Sequence, residues 1–108
     1  MDSHTRTLLK LMVLKRQRAE QNLLSAQHEL RVLQTELREL EQQFDSLNGE
    51  GEGIEAQILS YEHRFDRQQT IAIAECKNRL AEREVTYLAA REALKRAFDS
   101  EERLRRGG

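Results

Sequence analysis

Proline and tryptophan are absent from this chain of 108 residues, which holds one cysteine, five glycines, two tyrosines and three phenylalanines. Without proline, nothing in the composition forces a long helix to break. With 38% hydrophobic and 5% aromatic residues, the chain lacks the material for an ordinary layered core. The lone Cys76 excludes an internal disulfide and indicates a reducing compartment. The abundant class is charge, at 34% of residues, which favours long exposed helices.

A formal net charge of -1 argues against a general binder of nucleic acid or membranes, because both require a large basic surplus. The charges are nevertheless polarised. Residues 6–18 carry basic side chains and no acidic ones, whereas residues 24–53 carry seven acidic side chains and two basic ones. The apolar stretch Leu8–Leu14 is short, is interrupted by Lys10 and is followed by no small-residue cleavage pattern. We therefore expect neither a membrane span nor a signal peptide, and a cytoplasmic location.

Apolar residues recur every seven positions through the first half of the chain, as in the a and d positions of a coiled coil. One set is Leu9, Leu23, Leu30, Leu37 and Phe44, and the other is Met12, Ala19, Ala26, Leu33, Leu40 and Leu47. A glycine-rich segment and a second long charged segment follow. The sequence predicts an all-α, antiparallel two-helix coiled-coil hairpin. It forms a single domain over 1–108, with helix 1 at about 4–47 capped by Ser3, a turn at 48–53 and helix 2 at about 54–106.

Helix 2 does not keep the seven-residue repeat in the sequence. Its best apolar stripe runs from Ile58 through Leu80, Tyr87, Arg91 and Phe98 with steps of three, four and four, which is an eleven-residue period. We therefore expect imperfect packing along the seam, which is the line of a and d positions where the two helices meet, and a shallow supercoil.

Folding the chain about Gly51 sets the expected pairing of the two helices. It pairs Leu33 with Gln69 and Ala26 with Cys76, and it puts Arg16 near Tyr87 and Arg83 near Ala19.

Leucines encircle the start of helix 1, although a two-helix seam uses only about two residues in seven. The surplus apolar residues lie among basic ones. This predicts a docking surface at the base of the hairpin, the end where the start of helix 1 lies beside the end of helix 2. Its expected members are Leu8, Leu11, Leu14, Lys15, Arg16, Arg18, Leu94 and Phe98. A second partner surface is expected at the tip, with Phe44, Leu47, Tyr61 and Phe65. The alternative for the leucines is packing on the far end of helix 2, and for most charges it is a solvated face.

No group of residues in the sequence indicates a catalytic, metal or phosphate-binding site. The glycine run at 49–53 lacks the preceding strand and the Lys-Ser/Thr of a phosphate loop. His4, His28, His63 and Cys76 have no metal-ligand spacing on one face, and no nucleophile stands beside a base. We expect a non-enzymatic protein with no catalytic residue, cofactor or metal.

The run Val13-Leu14-Lys15-Arg16-Gln17-Arg18-Ala19-Glu20, followed by Leu23 and a Gln/Glu-rich segment to Leu40, resembles the opening of the YscO/FliJ family. These are the central stalk proteins of type III secretion and flagellar export. The resemblance implies an antiparallel two-helix coiled coil whose paired termini enter a hexameric secretion ATPase and whose body meets the export gate protein. It would turn the surface around Leu8, Leu11, Leu14, Lys15 and Arg18, with Leu94, Phe98 and Leu104, toward the ATPase pore, and the tip toward the gate.

The resemblance covers about ten specific residues, and the glycine-rich turn departs from the family. Our first hypothesis is a coupling protein at the cytoplasmic base of a secretion apparatus, with export chaperones as a further partner. One alternative is a homodimeric four-helix bundle, with nucleic-acid binding by a helix face as one variant. Another is a chaperone-like helical hairpin that binds unfolded clients.

Overall fold

The computed structural model describes residues 2–49 and 56–107, with side chains for 2–45 and 66–107. It consists of two α-helices, α1 (Ser3–Gly49) and α2 (Ala56–Gly107). The described residues contain no strand, and the helices run antiparallel against each other. The predicted all-α antiparallel helical hairpin is therefore confirmed. Within the described residues, neither helix has a stretch long and apolar enough to cross a membrane.

Helix α1 is capped by Asp2 and not by the predicted Ser3. The Asp2 carboxylate accepts a hydrogen bond from the Thr5 amide (2.6 Å), and its carbonyl accepts one from the Arg6 amide (3.1 Å). An aspartate at this position satisfies an otherwise unpaired helix donor and adds a negative charge at the positive end of the helix dipole. Ser3 is already the first helical residue.

The predicted turn at 48–53 begins too early. Asn48 and Gly49 belong to α1, which continues two residues beyond the predicted end. Each of these residue types costs at most about 1 kcal/mol in a helix, which is too little to stop one on its own. The rest of the predicted turn, residues 50–53, and the predicted start of helix 2 at 54 lie outside the described residues.

Contacts divide the chain into two compact units. Unit 1 is Met1–Leu30 with Arg83–Gly108, and unit 2 is Arg31–Glu82. In unit 1, Arg83 approaches Glu29 at 3.5 Å. In unit 2, Arg79 pairs with Glu36 at 3.2 Å, and the Gln69 amide donates to Gln43 at 3.2 Å.

The seven-residue seam predicted for α1 is confirmed by burial. Ala19, Ala26 and Leu33 are buried, and each is seven residues from the next. The other described members of the two predicted sets are half-buried. Because the buried pair in unit 1 is alanine, α2 can approach α1 closely there.

The eleven-residue stripe predicted for α2 fails at Arg83, Arg91 and Phe98, although its member Leu94 is half-buried. Most buried and half-buried positions instead fall on two seven-residue sets: Ile73, Leu80, Tyr87, Leu94 and Glu101 in one, and Gln69, Cys76, Ala90, Ala97 and Leu104 in the other, where exposed Arg83 takes the place between Cys76 and Ala90. Arg91 and Phe98 are exposed. A helix that shares a supercoil with a seven-residue seam must keep that period itself. The seven-residue repeat of α2 could not be recognised from apolar residues alone, because polar Gln69 and Glu101 occupy seam positions. Each forms hydrogen bonds there.

The predicted pairing of the helices is also wrong. Cys76 lies against Leu33 instead of Ala26, and its thiol donates to the Leu33 carbonyl at 3.6 Å. Gln69, expected beside Leu33, bonds to Gln43.

The predicted pairing is wrong in unit 1 as well. Arg16 meets Glu101 instead of Tyr87, and Arg83 meets Glu29 instead of Ala19. The seam side chains and their flanking ion pairs set the alignment of two helices, and the centre of the glycine run does not. In the expected alignment, Arg16 would have faced the seam without this acidic partner.

Candidate docking surface

The structure divides the predicted base residues among different faces of unit 1. Leu8, Leu11, Lys15 and Arg18 are spaced by three, four and three, so they lie on one edge of α1. Leu11 is 54% exposed. We call these four residues the basic-apolar edge.

A groove between the two helices runs along this edge. Its cavity volume is about 340 Å³. It is lined by Lys15, Arg18, Ala19, Asn22, Ala93, Arg96, Ala97 and Ser100. Alanines supply its apolar lining, and longer polar and cationic side chains from both helices supply the remainder.

The three cations of the groove differ from Arg16 in their ion pairing. Among the residues whose side chains the structure describes, no carboxylate lies within ion-pair distance of Lys15, Arg18 or Arg96. The guanidinium of Arg96 donates only to the carbonyl of Glu92, at 3.4 Å. The groove therefore presents uncompensated positive charge beside an apolar floor.

The other predicted arginine, Arg16, lies in a closed network at the seam. Its Nε donates to Glu101 at 2.5 Å and its Nη1 donates to Glu20 at 2.7 Å. Arg105 donates to the second oxygen of Glu101 at 2.7 Å. Glu101 is only 4% exposed, so both arginines stabilise a buried carboxylate.

These hydrogen bonds raise the pKa of Arg16, first through Glu101 and then through Glu20. The Arg16 guanidinium also lies over the ring of Phe98, 5.3 Å from its centroid. Since these groups satisfy one another, Arg16 has little free charge to offer a partner. Its role in the structure is to fix the pairing of the helices.

The remaining predicted base residues differ in their positions. Leu14 is 60% exposed and lies three residues after Leu11 and four before Arg18, so it borders the basic-apolar edge, whereas Leu94 is half-buried in the seam. Phe98 is exposed, with its ring against Arg16. The base therefore offers one continuous edge on α1, bordered by Leu14, and Phe98 lies outside it on α2.

At the predicted tip, Phe44 is half-buried in the α1 seam. Leu47, Tyr61 and Phe65 lie within the helices, but their side chains are outside the described residues. The predicted tip surface therefore lies mostly outside the described side chains and stays a prediction.

Sequence reasoning missed the groove because it missed the pairing of the helices. Only the observed pairing brings Ala93, Arg96 and Ser100 beside Lys15 and Arg18. The available signal was the line of small residues on α2, Ala90, Ala93 and Ala97, which leaves room beside the seam.

Among the described residues, no group of three His, Cys, Asp or Glu side chains could hold a metal ion. Burial raises the pKa of the Cys76 thiol, and the carboxylate of Glu36 raises it further. Cys76 therefore stays protonated and unreactive near neutral pH.

Comparison with protein-family models gave no match, and neither did comparison with curated proteins or with solved structures.

Proposed function

We propose that this protein is a non-enzymatic coupling protein of a type III secretion export apparatus, acting at its cytoplasmic base. Its partners are a hexameric secretion ATPase and the export gate protein, with export chaperones as a further partner. The proposal rests on the resemblance of residues 13–20 to the YscO/FliJ family. The antiparallel hairpin is the architecture that this resemblance implies.

The observation that carries the proposal is the basic-apolar edge, of which Lys15 and Arg18 lie in the segment that bears the resemblance and Leu8 and Leu11 lie just before it. Leu11 is exposed there, beside Lys15 and Arg18, whose charges have no described acidic partner. A surface that combines an exposed leucine with cations lacking a described acidic partner suits an interface with an acidic rim and an apolar centre. Such an interface is what a stalk requires at the mouth of a ring.

The mechanism we infer is mechanical and electrostatic. The base enters the ring of the ATPase, where basic side chains steer it and exposed leucines hold it. A hairpin has no rotational symmetry that matches a hexamer, so its edges contact different subunits at any moment. These unequal contacts favour different subunit states, which is how a protein without catalytic residues influences an ATPase cycle.

Leu11→Asp and Arg18→Glu are expected to abolish association with the secretion ATPase of the same host while helicity is retained. The aspartate places an unpaired charge in an apolar contact, and the glutamate reverses the sign of a rim charge. Co-sedimentation with the purified hexamer measures binding, and circular dichroism measures helix content. Reduced salt dependence of the residual binding would identify Arg18 as a steering charge.

The matched control is Leu24→Asp, because Leu24 is a 65% exposed leucine of the same helix outside the basic-apolar edge. It is expected to bind like the unmodified chain. Full binding by both Leu11→Asp and Arg18→Glu would contradict the proposal.

A second candidate function is a homodimeric four-helix bundle. It is favoured by Val85 and Leu88, which lie three residues apart on α2 and are 69% and 54% exposed. Two such helices from different chains could bury these residues against each other. The two candidates differ in the mass of the protein in solution.

A further inference from the structure

We propose that the groove of unit 1 is a docking site for an acidic amphipathic helix of a partner protein. The inference deepens the proposed function because it assigns a chemistry to a partner that contacts the basic-apolar edge. It does not require that partner to be an ATPase.

The shape of the groove favours a helix over a compact anion. Ala19, Ala93 and Ala97 line it, so methyl groups face an incoming ligand and its backbone can approach closely. The walls are themselves helices, so their backbone amides are already used within α1 and α2 and cannot cradle a phosphate. An incoming helix needs only the apolar floor and side-chain partners at its margins.

The charge of the groove specifies an acidic partner. Lys15 and Arg18 stand on the α1 wall and Arg96 on the α2 wall. Since no described carboxylate pairs with them, glutamates on both flanks of an incoming helix would gain partners without displacing an internal ion pair. Asn22 and Ser100 add neutral hydrogen-bonding groups.

The setting of its cations distinguishes the groove from the rest of unit 1. Some side chains beside the seam are already paired, as in Glu29 with Arg83 at 3.5 Å, and Arg16 is likewise used by Glu20 and Glu101. Other cations of unit 1 without a described acidic partner, such as Lys10, Arg91 and Lys95, lie outside the groove, whereas Lys15, Arg18 and Arg96 stand beside its alanine floor.

The apolar end of the same edge extends the site. Leu8 and Leu11 continue the line of Lys15 and Arg18 toward the start of α1, with the same spacing. The partner helix is therefore expected to carry a pair of apolar residues at one end and glutamates along the rest. Because the two ends of the partner helix differ, it can dock in only one of the two orientations along the groove.

The test uses the full chain and a fluorescent, side-chain-cyclised helical peptide of about three heptads, with alanine and leucine on one face and glutamate on both flanks. Fluorescence anisotropy measures binding. Three comparison probes are a scrambled peptide of the same composition, a version with lysine for glutamate, and a single-stranded oligonucleotide of equal charge.

We expect saturable binding of the acidic helix only. Arg18→Gln with Arg96→Gln should weaken it roughly tenfold, since each rim charge contributes a few-fold. Ala93→Leu should weaken it as strongly by filling the groove without changing any charge. Lys95→Gln is the matched control, because Lys95 is an exposed cation of α2 outside the groove, and it should bind normally.

Several results would overturn the proposal. Equal binding of the scrambled peptide or the oligonucleotide would make the groove a general anion site. Unchanged affinity in Ala93→Leu would mean that the helix does not enter it, and absence of saturable binding by the acidic helix would mean that no such site exists. A groove that binds the peptide while the hexamer fails to co-sediment would leave this inference standing and remove the proposed function.

Discussion

At the scale of single residues, a charge at a helix end or in the seam is held by specific partners. Asp2 accepts the Thr5 amide at the start of α1. Glu101 receives two arginines in the seam. The lowered pKa of Asp2 shows that its ionised form is the one the helix start favours, and this gives the helix start a dependence on pH.

Asp2→Ala is expected to fray the first turn of α1, and acid should do the same to the unmodified chain. The Thr5 hydrogen bonds lower the pKa of Asp2 below its usual value of 3.8. The cap is therefore fully present above that value and is lost as the pH falls through the lowered pKa. Amide exchange at Thr5, followed by NMR against pH, measures it.

The matched control for this prediction is Ser3→Ala, which should leave Thr5 protection unchanged because Ser3 lies inside the helix. Equal protection of Thr5 in Asp2→Ala and in the unmodified chain would show that Asp2 is not the cap.

At the scale of the helices, the sequence predicted what depends on one helix and missed what depends on two. The α1 seam was readable because its apolar residues repeat without interruption. The α2 seam was not, because Gln69 and Glu101 are polar and become seam residues only through partners on α1. The groove was equally hidden, since it exists only when Ala93 and Arg96 stand opposite Lys15 and Arg18.

Gln69→Leu is expected to stabilise the chain by about 1 kcal/mol. Leucine burial contributes about 1.5 to 3 kcal/mol, and the lost hydrogen bond to Gln43 offsets about 0.5 to 1.5 of it. Gln43 is exposed and can bond to water instead. The urea midpoint measures the change, with exposed Gln68→Leu as the neutral control. A lower midpoint for Gln69→Leu would mean that the hydrogen bond outweighs the burial.

At the scale of the whole molecule, the question is whether the hairpin acts singly or as a pair. A stalk that enters a ring requires one chain, whereas a four-helix bundle requires two. Exposed Leu11 of the basic-apolar edge serves the first, and Val85 with Leu88 would serve the second.

Sedimentation equilibrium is expected to give the mass of a single chain over a wide concentration range, because the proposed function leaves the base free for its partner. Val85→Glu with Leu88→Lys should not change that mass. A stable dimer that this double variant dissociates would favour the four-helix bundle.

The buried cysteine makes the chain well suited to spectroscopy. Cys76 is 0% exposed, and its raised pKa keeps the thiol protonated near neutral pH. A maleimide dye or spin label should therefore react only with cysteines introduced at exposed positions, such as Leu24→Cys, and the native thiol can stay in place. Pairs of such labels, one on each helix, would turn the alignment of α1 and α2 into a directly measurable distance.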